Sequence, residues 1–184
     1  MLLIIRKLSF VLVAMVVAWQ VHAAAPAVYG DWVTGTGADN TFLFASTVND
    51  SGDTFGEYCY FKLKKCMWYL MLRTPCHSGD RTPVVAKSDA SSSPLVVVCF
   101  GQMPSGERYS DGFEDWKSLE SSITDSVHVG FTIPVASNKT TEVRFSLNGR
   151  DRSQQAMESS FFARISPPEA SEPGGERGAS GQTL

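Results

Sequence analysis

FGEYCYFKLKKCMWYLMLRTPC, residues 55–76, holds three of the chain's four cysteines and two aromatic-rich runs separated by lysines. It reads as a β-hairpin: GEYCYF, a loop of Lys62, Leu63, Lys64 and Lys65, then CMWYLMLR. Tyr, Phe, Trp and Cys suit a pleated, half-buried surface, and a polar loop of about 3–5 residues is a common hairpin connection. The middle of the chain is therefore expected to be antiparallel sheet.

The same grammar extends outward on both sides. Thr41 to Val48 alternates with Phe42, Phe44 and Val48 on one face, and Asn49 to Asp53 supplies the following turn. The spaced acids of that turn fall short of an EF-hand loop, which runs about 12 residues and ends in a bidentate Glu. Beyond the hairpin, Val84 to Ala86 reads as a short strand. Leu95 to Phe100 is a continuous apolar run, expected to be buried on both faces or to lie at a sheet–sheet contact. Then the period changes. Phe113, Trp116, Leu119 and Ile123 predict a helix over 111–126, with Asp111 and Glu114 as its capping box.

Alternation returns in Val127, Val129, Phe131 and Ile133, and again in Val143, Phe145 and Leu147, predicting two strands with one buried and one wet face each. Asn148-Gly149 ends the second. Arg150 to Ile165 is expected to be a helix with Met157, Phe161 and Ile165 on one face, stopped by Pro167-Pro168. The fold class is mainly β: a single antiparallel β-sandwich or partly open barrel with two short helices.

The two ends read differently from the middle. Arg6 and Lys7 precede an apolar run from Leu8 to Trp19, and Val21-His22-Ala23 offers small residues for cleavage before Ala24. Residues 1–23 are thus read as a signal peptide, since the run is shorter than the roughly 20 residues a spanning helix needs. Residues 24–166 form one exported β-rich domain. Residues 167–184 are Pro, Gly, Ser and Glu without an apolar run, and read as a disordered tail. No stable membrane span is expected after cleavage.

Cysteine usage agrees with export to a periplasmic or extracellular, oxidising compartment. Cys59, Cys66, Cys76 and Cys99 are even in number and all lie beyond the leader, which reads as two disulfides. Three pairings are open. Cys59–Cys66 across the hairpin and Cys76–Cys99 between a loop and a later strand are favoured, with loop closure worth about 2.5 and about 3.5 kcal/mol. Structural zinc prefers closely spaced cysteine pairs, and these cysteines are far more widely separated.

Composition removes several function classes. Loss of Arg6 and Lys7 takes the formal charge from −3 to −5, which disfavours a sequence-independent nucleic-acid binder. Only His77 and His128 remain for acid–base work near neutral pH. Cys76-His77 invites a thiol-nucleophile reading, but adjacency in sequence does not set the sulfur against the ring. Asp111, Glu114 and Asp115 cluster where acids favour a helix dipole, and Gly35-Thr36-Gly37 lacks the rest of a dinucleotide motif. Lys62, Lys64 and Lys65 form a basic turn tip, and Asn49 and Asn138 sit in glycan-acceptor patterns. No cofactor or metal is expected. The reading is a non-enzymatic binding protein whose partner is a protein or another envelope component, with Tyr58, Tyr60, Trp68 and Tyr69 as its contact surface; a hydrolase is the third class.

Gly30-Asp31-Trp32 after the leader, the cysteine-bearing hairpin, and Val143-Arg144-Phe145-Ser146-Leu147-Asn148-Gly149 before a final helix resemble the invasion-associated locus B family of exported bacterial proteins. The resemblance spans Tyr29 to Phe162 and implies a compact β-rich secreted domain without known catalytic residues. A second one is local: Ser105-Gly106-Glu107-Arg108-Tyr109 is similar to the Ser-Gly-x-x-Tyr loop of periplasmic C-type lysozyme inhibitors. It implies that Ser105 and Tyr109 would hydrogen-bond acids in a lysozyme cleft.

Overall fold

Phe55 sits at the centre of the molecule, fully buried, and the sheet is wrapped around it. The computed structural model describes residues 25–104, 106–135 and 139–166. The expected leader, the expected tail and the Asn138 acceptor lie outside the described residues. Ten strands form one antiparallel sheet: β1 (Ala27–Tyr29), β2 (Trp32–Thr36), β3 (Phe42–Val48), β4 (Thr54–Tyr60), β5 (Lys65–Leu72), β6 (Arg81–Ser88), β7 (Ser92–Gln102), β8 (Tyr109–Phe113), β9 (His128–Val135) and β10 (Lys139–Ser146). Among the described residues two helices complete it, α1 (Trp116–Ile123) and α2 (Arg150–Ile165).

The spatial order is β1-β2-β3-β4-β5-β8-β7-β6-β9-β10, and the sheet is not closed. It curls nonetheless. The Phe55 ring stacks on Trp68 at 5.1 Å and meets Trp32 of β2, Phe131 of β9 and Phe145 of β10 at 5.9, 5.2 and 5.6 Å. One ring can touch strands from both ends of the order only if those ends approach each other. Hydrogen bonds stitch them there: Asp31 N to Asn148 O (3.0 Å) and the Trp32 indole N–H to Ser146 O (2.9 Å). Gly30 and Gly149 make the crossing possible. Both have positive φ, and a Cβ on Gly149 would overlap the Tyr29 carbonyl. The Gly-Asp-Trp and Asn-Gly segments that resemble one family are thus two sides of a single junction.

The central hairpin is β4–β5, with its turn at Phe61–Lys64, one residue earlier than expected, so that Cys59 faces Cys66 and Tyr60 faces Lys65. Both favoured disulfides are present, Cys59–Cys66 and Cys76–Cys99. The last helix has the expected span. Met157 and Phe161 are buried against the sheet, and Ile165 packs at its margin.

Three expectations need correction. The helix over 111–126 is shorter: Asp111 and Phe113 belong to β8, and the N-cap is Asp115, which accepts from Ser118 N at 3.1 Å. Asp115 caps because the chain must first complete β8 against β5 and β7, and pairing across two neighbours outweighs a four-residue extension of helix. Leu95 to Phe100 is not buried on both faces; Leu95, Val97 and Cys99 face the core while Phe100 is 45% exposed. The short strand at Val84 runs to eight residues, and Pro83 is tolerated because β9 pairs with β6 only from Val85 onward. Phe42, Phe44 and Val48 share a face of β3 as expected, and it is the outer one, since the core takes Leu43, Ala45 and Thr47.

Candidate functional site

That outer face is the candidate site. The register sets Ser46, Gly56, Tyr69 and Gly112 side by side across β3, β4, β5 and β8, and beside them Gly35, Phe44 and Tyr58 across β2, β3 and β4. Glycines on neighbouring strands, and one just past the end of β2, leave room for the rings to lie back on the sheet. A Cβ at Gly37 would overlap the Phe42 ring, one at Gly35 the Phe44 ring, and one at Gly112 the Phe100 ring. The result is an open groove of about 670 Å³ with Tyr69 at its floor, Phe42, Phe44, Tyr58 and Tyr60 on one side, and Phe100 with Met103 on the other.

The aromatic groups form a continuous set. Tyr58 lies 5.1 Å from both Tyr60 and Tyr69, and Phe42 lies 5.3 Å from Tyr60 and 6.1 Å from Tyr58. Burial raises Tyr58 to about 12, helped by the two neighbouring tyrosines. Burial likewise raises Tyr69 to about 12, partly offset by a hydrogen bond with Ser46. Both phenols are neutral at any ordinary pH. The groove's polar side chains are Ser, Thr, Tyr and Gln, and none of the residues lining it is charged.

Three of the four expected contact residues, Tyr58, Tyr60 and Tyr69, therefore come together in the groove. Trp68 does not. The pleat turns it to the opposite face, where it is 1% exposed, stacks on Phe55 and donates to Glu120 Oε1 at 3.2 Å. It is a core residue because adjacent positions in a strand point to opposite faces. Sequence reasoning missed Phe42, Phe44 and Phe100. The alternation of β3 was visible, but it gave no sign of which face is the core, and the glycines that seat these rings lie on neighbouring strands.

The other candidates stay apart. Tyr109 is half-buried at the start of β8, in a hairpin where Met103 N donates to Arg108 O at 2.7 Å; Ser105 lies outside the described residues. The His77 side chain is 97% exposed beside Asp80, and His128 N donates to Asp89. Glu57 and Asp111 each lie near a cysteine pair, but those sulfurs are in disulfides and offer no thiolate to a metal.

Two buried acids have shifted titration. Burial pushes Glu57 up to about 7, reinforced by Glu158 and Glu120 and opposed by a hydrogen bond from the Gln154 amide (3.0 Å). Burial raises Asp111 to about 6, beside the Cys76–Cys99 bridge. Neither carboxyl faces the groove: Glu57 lies on the core side of β4, where α2 packs.

No family model matches the sequence, and no curated protein does. Among solved structures, the chain is similar to invasion associated protein B from Bartonella henselae, at 14% identity and a TM-score of 0.51, over 74% of this chain and 98% of that one. The similarity is one of fold, weak and divergent in sequence, and it places this chain beside the invasion-associated protein B architecture that its Gly-Asp-Trp and Asn-Gly segments resemble.

Proposed function

We propose that this is an exported, non-enzymatic binding protein whose contact surface is the aromatic groove. The observation that carries the reading is an uncharged, aromatic-lined concavity of ligand-site size on the outer face of a sheet whose core is complete without it. Two disulfides suit an oxidising compartment, and the fold likeness to an invasion-associated protein is in keeping with export. The absence of catalysis is a proposal too: neither His77 nor His128 lines the groove.

N-phenyl-1-naphthylamine, an uncharged aromatic probe, tests the site. Saturable fluorescence enhancement is expected, weakened in Tyr58→Ala and Phe100→Ala at unchanged melting temperature. Enhancement that never saturates, or that ignores both substitutions, refutes the groove. A collapse in melting temperature for Tyr58→Ala without a binding change would assign that ring to packing alone. An ester, peptide and glycoside panel should give no turnover above buffer.

A second reading has one observation in its favour. Strand β8 begins at Tyr109, so residues 106–109 lead directly into a strand rather than into the helix expected from residue 111. It requires that the mature protein slow a C-type lysozyme and that Ser105→Ala with Tyr109→Ala abolish the effect. No inhibition at micromolar protein eliminates it.

A further inference from the structure

We propose that the groove binds a short, uncharged oligosaccharide. The inference rests on the groove being a binding surface and adds the chemistry of its occupant.

Charge is the first argument. Charged residues make up 19% of the chain, yet none lines the groove, and burial keeps Tyr58 and Tyr69 neutral. A carboxylate or phosphate entering there would give up hydration and meet no counter-charge. The occupant is therefore uncharged.

The polar groups supply the second argument. Ser46, Thr54, Ser110, Gln102 and the tyrosine hydroxyls all lie along the groove. Each can both donate and accept, as sugar hydroxyls do. Ser46 already bonds Tyr69, and the Gln102 amide already donates to Gly106 O at 2.6 Å, but a purely apolar chain would cover the hydroxyls of Thr54, Ser110, Tyr58 and Tyr60 without offering them a partner, a cost that sugar hydroxyls avoid.

The rings supply the third. Phe42, Phe44 and Phe100 lie back over Gly37, Gly35 and Gly112 rather than standing off the sheet. Ring faces carry partial negative charge and attract the weakly positive C–H face of a pyranose. Proline-rich peptides also dock in aromatic-lined grooves, so decaproline is the contrasting ligand for this argument. Length completes the case. From Thr54 to Tyr60 the groove follows β4 for six residue steps, roughly 20 Å at about 3.3 Å each, so several sugar rings fit in line.

Calorimetric titration of the disulfide-intact protein with cellotetraose, maltotetraose and chitotetraose tests this, with tetragalacturonate, lauric acid and decaproline as contrasting arms. At least one neutral tetrasaccharide is expected to saturate, with tetragalacturonate about tenfold or more weaker. Phe100→Ala, an exposed position, should weaken the neutral ligand about fivefold or more at unchanged melting temperature. No saturation by any neutral tetrasaccharide at millimolar concentration overturns the proposal, as does binding of lauric acid or decaproline in their place. If the naphthylamine probe still saturates and responds to Phe100→Ala, only the sugar assignment falls; if it does not, the groove reading falls with it.

Discussion

Glu57 is a buried carboxyl, 6% exposed, enclosed by the Gln154 amide, the Glu158 carboxyl of α2 and the Glu120 carboxyl of α1. Its titration moves from 4.5 in a free side chain to about 7 here, first because burial disfavours the anion and then because two acids repel it. A raised carboxyl means that the folded state holds its proton to higher pH than the unfolded chain does. Its contribution to stability is intact below about 4.5 and is lost as pH rises through about 7. At about 1.36 kcal/mol per pKa unit, the loss reaches about 3 kcal/mol at pH 8. Glu57→Gln keeps an acceptor for Gln154 and cannot ionise. The variant should match the parent at pH 4 and exceed it by about 3 kcal/mol at pH 8, or by roughly 10 °C in melting temperature for a domain of this size. Urea titrations of both proteins at pH 4, 6 and 8 measure the difference directly. Asp111 and Glu158 also titrate upward through burial, but they remain in both proteins, so the difference isolates Glu57. A gap that does not change with pH, or a variant less stable at pH 8, would refute the burial argument.

Two further outcomes follow from the frame. Gly149→Ala sets a Cβ onto the Tyr29 carbonyl at a positive φ, so the junction between the sheet's ends must open; a loss of about 3 kcal/mol or more is expected by denaturant melting, and a loss below about 1 would contradict the close approach. Removing Cys76–Cys99 by double alanine substitution should cost about 1 kcal/mol more than removing Cys59–Cys66, because it frees the longer loop; the reverse ranking in urea would count against the loop-closure account.

The sheet was legible wherever residues alternate in isolation. Val129, Phe131 and Ile133 face inward as their period demands, and Met157 and Phe161 mark the buried side of α2. The cysteine pairing was legible from the short loop it closes, but its register was not: the expected turn at Lys62–Lys65 would set Phe61 opposite Cys66, and the observed turn one residue earlier sets Cys59 there. Spacing could not tell that Phe113 ends a strand, since it satisfies a helical period as well as a β one. The groove was half legible for a related reason. FLFASTV is apolar on both faces, so local pattern cannot say whether Phe44 or Leu43 is inside; that is decided by Trp32 and Phe55 on other strands. Trp68 was misplaced by density alone, counted with its tyrosine neighbours although the pleat separates it from them.

The hydrogen bond from the Trp32 indole to Ser146 spans 114 positions of chain. Contacts this distant are formed late, because a long loop must lose its freedom before they return anything. A polypeptide delivered N-terminus first can pair β2 with β3 and β4 with β5 as each emerges, yet it cannot lock its seam until Asn148 is out. Until then the two ends of the sheet stay apart, and Phe55 lacks the rings of Phe131 and Phe145 that complete its surroundings.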